Sequence, residues 1–151
     1  MTGVNPSVGC VVVSKSKTII STGSTGTNGS PHAEKVALDG INIEAGSTLY
    51  TTLEPCFHSG KNPPCVNEII KSGVKRVVVA SLDKNPLVNG KGIKKLKNSG
   101  ITVLKGVLIE ETEDLYNEFF NRVSYGVPGI NIKIASSADG KTALKNGKSK
   151  W

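Results

Sequence analysis

The sequence predicts an α/β fold: a sandwich around a largely parallel sheet, with a hairpin at one edge. Three observations lead there. Apolar, β-branched runs at residues 8–13, 47–53, 76–80 and 101–104 read as buried strands. Segments with helical signals separate the later runs, the alternation that makes parallel crossovers. Glycines and polar clusters stand at the boundaries between them.

The elements follow in order. Residues 8–13 (VGCVVV) form the first strand, with Cys10 at a core position. Residues 15–17 turn, and residues 18–22 return as the second arm of the hairpin. A Gly/Ser/Thr/Asn loop at 24–30 leads to Ser30-Pro31, an N-cap followed by proline at the first helical position. The helix runs to about Leu38 and holds His32 and Glu34 in its first turn. Two positions on a helix are about 200° apart, so these side chains border one site only around the open N-terminal end. Residues 47–53 form a third strand that delivers Pro55-Cys56 at its C-terminal end. In Asn62-Pro63-Pro64-Cys65, Asn62 can cap and Cys65 falls in the first turn, where the dipole favours a thiolate. That helix carries Val66, Ile69 and Ile70 and stops at Gly73. Residues 76–80 are a fourth strand, 92–98 a short amphipathic helix, and 101–104 a fifth strand. Residues 110–122 form a longer helix with Leu115, Phe119 and Phe120 facing inward. Beyond Pro128 the character changes. Residues 129–135 read as a fresh strand, followed by a polar tail unable to bury a core, so residues 1–126 form one domain and 127–151 open a second, truncated one.

Composition bounds the function classes. The 151 residues suit one domain, and 37% hydrophobic with 21% charged is ordinary for a globular protein. No apolar run approaches the roughly 20 residues of a membrane span, and no signal peptide is apparent. Three cysteines, two of them claimed below by metal, point to a reducing compartment, the cytoplasm. The +7 charge permits a phosphorylated partner. Its lysines are scattered and aromatics are only 5%, which argues against nucleic acid.

The chemistry concentrates in His32-Ala33-Glu34, Pro55-Cys56 and Cys65. Imidazole nitrogen and thiolate sulfur suit Zn²⁺, and three protein ligands (His32, Cys56, Cys65) leave a fourth position for water. Glu34 is then the proton carrier. Histidine, glutamate and Pro-Cys in this order mark the zinc deaminases of nucleobases. A closed structural site of His32, Cys56, His58 and Cys65 is the competing arrangement. Its spacing is unlike that of a zinc finger, and it leaves Glu34 without a role.

These residues resemble the bifunctional deaminase/reductase family of riboflavin biosynthesis, over nearly the whole chain. Asn5-Pro6-Ser7-Val8-Gly9 is similar to its N-P-x-V-G substrate loop, and Pro31-His32-Ala33-Glu34 to its metal helix. The stretch from Thr52 to Cys65 matches its eight-residue spacer between the cysteines, the most specific feature. Asp83-Lys84-Asn85-Pro86 is similar to its D-P-N-P turn, and residues 133–140 with 147–151 to the start of its reductase domain.

The resemblance implies a three-layer α/β/α, cytidine-deaminase-like sandwich with a five-stranded mixed sheet. It implies hydrolytic deamination at C2 of a diaminopyrimidinone bearing a ribosylamino 5′-phosphate. Asn5, His58, Lys61 and Asn62 would hold ring and sugar phosphate. In the reductase, Ala135 and Trp151 would touch NADP and Ser149 the substrate; the truncated chain is not expected to reduce anything. The family usually has a helix ahead of its substrate loop, a histidine at Thr25 and a threonine at Asn62. An uncovered sheet face would favour a homo-oligomer. Two other functions stay open at this level: a base or tRNA deaminase of the same fold, and an inactive copy with a structural zinc.

Overall fold

The computed structural model describes residues 2–58 and 63–149. Among these residues the chain forms β1 (Gly9–Val13), β2 (Ile19–Ser24), α1 (Ala33–Leu38), β3 (Thr48–Leu53), α2 (Cys65–Lys71), β4 (Arg76–Ser81), α3 (Lys91–Asn98), β5 (Thr102–Lys105) and α4 (Ile109–Tyr125). The sheet order is β2-β1-β3-β4-β5. β1 pairs antiparallel with both β2 and β3, whereas β3–β4 and β4–β5 are parallel. The sheet is therefore evenly mixed rather than largely parallel. The five-stranded mixed sheet implied by the family resemblance is present.

Strand alternation divides the side chains between two faces. Cys10, Val12, Leu49, Val77 and Val79 point to one face and are buried there with Ala33 and Ala37 of α1, Val66 and Ile69 of α2, and Leu96 of α3. Each such aliphatic side chain contributes about 1.5–3 kcal/mol on burial. Cys10 belongs to this core, and burial pushes its thiol far above the ordinary range, so it is inert packing. The opposite face receives α4, whose Tyr116 and Phe120 pack with Leu53, Val8 and Phe119. Helices on both faces complete the three layers.

Three expectations about the elements are corrected. Leu115 does not face inward: it is 55% exposed, and Tyr116 is buried in its place. The buried stripe of α4 runs Thr112, Tyr116, Phe120, an i, i+4, i+8 row set by the side that meets the sheet. Tyr116 tolerates burial because its hydroxyl donates to Ser7 O at 3.2 Å and lies 2.6 Å from Thr52 Oγ1. Residues 129–135 do not form a strand. Their alternating Ile130, Ile132 and Ile134 are 70–81% exposed, because no strand among the described residues offers them a ladder or a face. Finally, Ser30 and Pro31 stand outside α1. The N-cap is His32, whose extended backbone (φ −72°, ψ 153°) delays the helix to Ala33.

Candidate active site

α1 and α2 begin beside one another at the C-terminal end of β3, and their first residues make the site. His32 precedes α1, Cys65 is the first residue of α2, and Cys56 follows β3 by way of Glu54 and Pro55. His32 Nδ1 lies 3.2 Å from Cys65 Sγ and 3.5 Å from Cys56 Sγ. The backbone N–H of Cys65 donates to Cys56 Sγ at 3.2 Å, and Val66 N–H donates to the Cys56 carbonyl at 3.3 Å. α2 is thus hung directly on the segment that carries Cys56.

The donor set fits a zinc ion. The ligand atoms of His32, Cys56 and Cys65 all lie within 4.8 Å of one another. Tetrahedral zinc, with Zn–S of about 2.3 Å and Zn–N of about 2.0–2.1 Å, needs S···S near 3.8 Å and N···S near 3.5 Å. His58 is outside this group and lines the adjoining cavity instead, so a closed four-residue site is not what the fold assembles.

The electrostatics suit a cation. The shared hydrogen bond with Cys65 pushes the Cys56 thiol down to about 4, with help from the His32 ring. Cys65, as the donor in that pair and more deeply buried, is pushed far up. Hydrogen bonding to Cys56 raises His32 against the opposing effect of burial. The environment thus favours at Cys56 the thiolate, the form that ligates metal.

Glu34, the second residue of α1, is 4% exposed. Burial raises its carboxyl above the usual carboxylate range, partly offset by a bond from its own backbone N–H. A carboxyl raised in this way holds a proton more readily than a free one, which suits a group that must accept a proton and return it.

A cavity of ≈ 180 Å³ opens on this cluster, lined by His32, Glu34 and Cys56 together with Asn5, His58, Asp83 and Asn85. Asn5 is held in place by donating from Nδ2 to Asn28 O at 3.0 Å. Gly29 makes this possible: a Cβ there would stand 2.2 Å from Asn5 Nδ2, and its φ of +83° suits glycine. Thr25 also borders the cavity, but its side chain is engaged with the segment ahead of β1, accepting from Val8 N–H at 2.9 Å.

The expected residues divide accordingly. His32, Glu34, Cys56, Asn5 and His58 meet at one cavity, and Cys65 completes the His/Cys cluster. Lys61, Asn62 and Trp151 lie outside the described residues. Ala135 and Ser149 are exposed and do not border the cavity. Asp83 and Asn85 are additions. Both follow β4, and the sequence signal for them was an acidic residue just past the C-terminal end of a buried strand, where α/β sheets bind ligands. Asp83 accepts from Asn85 N–H at 2.8 Å, and burial pushes its carboxyl up to about 6, the nearby Glu54 adding to the shift.

Known proteins match this geometry. The profile of the cytidine and deoxycytidylate deaminase zinc-binding region matches residues 2–81. The riboflavin biosynthesis protein RibD of Aquifex aeolicus is 51% identical over 97% of this chain, which spans 41% of that relative's length. The diaminohydroxyphosphoribosylamino-pyrimidine deaminase of Buchnera aphidicola (subspecies Schizaphis graminum) is 46% identical, over 84% of this chain and 86% of its own length. Among solved structures, the diaminohydroxyphosphoribosylaminopyrimidine deaminase/5-amino-6-(5-phosphoribosylamino)uracil reductase of Thermotoga maritima superposes with a TM-score of 0.89 at 45% identity, covering 97% of this chain and 43% of that one. With a zinc-binding deaminase profile on its first half and these relatives along nearly its whole length, the chain belongs to the cytidine/deoxycytidylate deaminase zinc-binding family, on the RibD side of it.

Proposed function

We propose that this chain is a zinc-dependent hydrolase that deaminates a diaminopyrimidinone carrying a ribosylamino 5′-phosphate, a step of riboflavin biosynthesis. One observation carries the reading: a buried glutamate, Glu34, borders the same cavity as His32 and Cys56, with Cys65 completing the metal-fitting cluster beneath. His32, Cys56 and Cys65 would hold the zinc, which supplies a Lewis acid at the floor of the cavity. Glu34 takes a proton from the attacking water and passes it to the ring nitrogen. It carries the second proton to the departing amine, so that C2–O replaces C2–N and ammonia leaves. Asn5, His58, Asp83 and Asn85, which line the same cavity, orient the ring, and Lys61 with Asn62 receives the sugar phosphate.

A cavity of ≈ 180 Å³ is of a size to take a single pyrimidine ring. No helix among the described residues is long and apolar enough to cross a membrane. A cytoplasmic setting goes with free thiols at Cys56 and Cys65. Residues 127–151 are read as the start of a reductase domain, where Ala135 and Trp151 would meet NADP and Ser149 the substrate.

The test is an ammonia-release assay on the purified, zinc-loaded chain. The diaminopyrimidinone phosphate, cytidine, deoxycytidylate and a tRNA anticodon stem-loop are offered in turn. Turnover of the first alone is expected. Turnover of the tRNA or the nucleosides instead, or of nothing with zinc fully bound, overturns the proposal.

A further inference from the structure

We propose that Glu54 is a positioning residue that fixes the metal-binding segment and the loop 82–90, which also lines the cavity, in one relation, a role that rests on His32, Cys56 and Cys65 holding zinc. Glu54 is buried, at 3% exposure, between the end of β3 and Cys56. Its Oε2 accepts from Gly90 N–H at 2.8 Å and its Oε1 from Ile93 N–H at 3.2 Å. Its own N–H donates to Ser81 O, at the end of β4, at 2.9 Å. Three separate stretches of chain therefore converge on one residue.

The convergence has a consequence for the site. Gly90 is the N-cap of α3, and no side chain of its own caps that helix. The carboxylate of Glu54 does so from another element, with both oxygens used and the charge matched to the helix dipole. Gly92, in the first turn of α3, lies so close that a Cβ there would stand 2.3 Å from Pro55 O. The same first turn ends the loop 82–90, which carries Asp83 and Asn85 to the cavity. Glu54 thus ties Cys56, two residues ahead of it, to the loop that brings Asp83 and Asn85 to the same cavity. Outer-shell groups bonded directly to a metal ligand change metal affinity by about 10–100-fold when removed; Glu54 acts through the chain that carries Cys56, so the lower end of that range is expected.

Two variants separate this role from simple stabilisation. Glu54→Gln keeps the shape but turns one acceptor into a donor facing an N–H. Gly92→Ala leaves Glu54 intact and wedges α3 away from Pro55. Ile101→Val, in the core away from the cavity, serves as the control for a modest loss of stability. Zinc affinity is read by competition with a chromophoric chelator, KM and kcat by ammonia release, and stability by urea unfolding. Roughly tenfold weaker zinc binding and a several-fold higher KM are expected for both variants, with zinc affinity unchanged in Ile101→Val. Zinc affinities of either folded variant within twofold of the parent overturn the proposal, as does an equal loss in the control. If the parent binds zinc yet releases no ammonia, the proposed reaction fails while the zinc affinities still decide the role of Glu54.

Discussion

The backbone N–H of Cys65 points at Cys56 Sγ from 3.2 Å, so the first residue of α2 is both a thiol neighbour and a main-chain donor to the thiol nine positions earlier. An N–H aimed at sulfur favours the thiolate, and this bond joins the Cys65 thiol and His32 in pushing Cys56 down to about 4. The segment between the two cysteines is closed at its ends by this bond and by Val66 N–H to Cys56 O. Cation binding therefore needs little rearrangement of α2. Four predictions follow from the site so built.

Glu34→Gln retains the buried shape and removes the proton carrier. Zinc content and urea stability are expected to stay close to the parent, while kcat falls by about 10²–10⁴. Deaminase rates within a few-fold of the parent would show that another group moves the proton.

Removing the metal is expected to weaken the fold as well as abolish turnover. Zinc that binds only the folded chain adds stability by mass action, about 2.7 kcal/mol at a hundredfold excess over Kd. A chelator should lower the Tm of the parent by several degrees and leave Cys65→Ala, which holds little zinc, unmoved. Equal shifts in both proteins would place the metal elsewhere.

Asp83 sets a pH dependence of stability. Its folded-state pKa of about 6 exceeds the ordinary 3.8, mainly because the carboxyl is buried. Between these values the folded chain keeps a proton that the unfolded chain has lost, so the contribution of Asp83 to stability falls as pH rises from about 4 to about 6. Asp83→Asn can keep the bond from Asn85 N–H but has no charge to bury. Relative to the parent it should be level near pH 4 and more stable by on the order of 2 kcal/mol above pH 7, with weaker turnover. Urea unfolding across that range checks this; a parent–variant difference independent of pH contradicts it.

Lys61 is predicted from its place in the spacer, just ahead of the prolines that lead into α2. One charge-assisted contact to a phosphate is worth about 1.5–3 kcal/mol. Lys61→Ala is expected to raise KM for the phosphorylated pyrimidine roughly tenfold, and added salt should weaken binding to the parent more than to the variant. Equal turnover of the dephosphorylated pyrimidine by the parent would mean that nothing in this spacer reads the phosphate.

Much of this protein was legible before any coordinates. The strands at 8–13, 47–53, 76–80 and 101–104 announce themselves because β-branched runs bounded by glycine have few other uses. His32, Glu34, Cys56 and Cys65 stood out because metal-ligating and proton-carrying residue types are rare enough that their spacing carries information. Other features depend on contacts distant in sequence. Tyr116 displaces Leu115 from the interior because Ser7 and Thr52, far away along the chain, offer its hydroxyl partners. Residues 129–135 have the alternation of a strand, yet a strand exists only where a neighbour supplies hydrogen bonds, and among the described residues none does. Asp83 and Asn85 stand out in the sequence only as part of a turn, and Glu54 only as a residue of the stretch before Cys56; nothing local assigns them to the cavity or its support. Parallel pairing of β3 with β4 is what brings the ends of those strands side by side, and with them the groups that wall the cavity and brace its floor. Local residue chemistry determined which atoms could react; the sheet order, a long-range property, decided which of them meet.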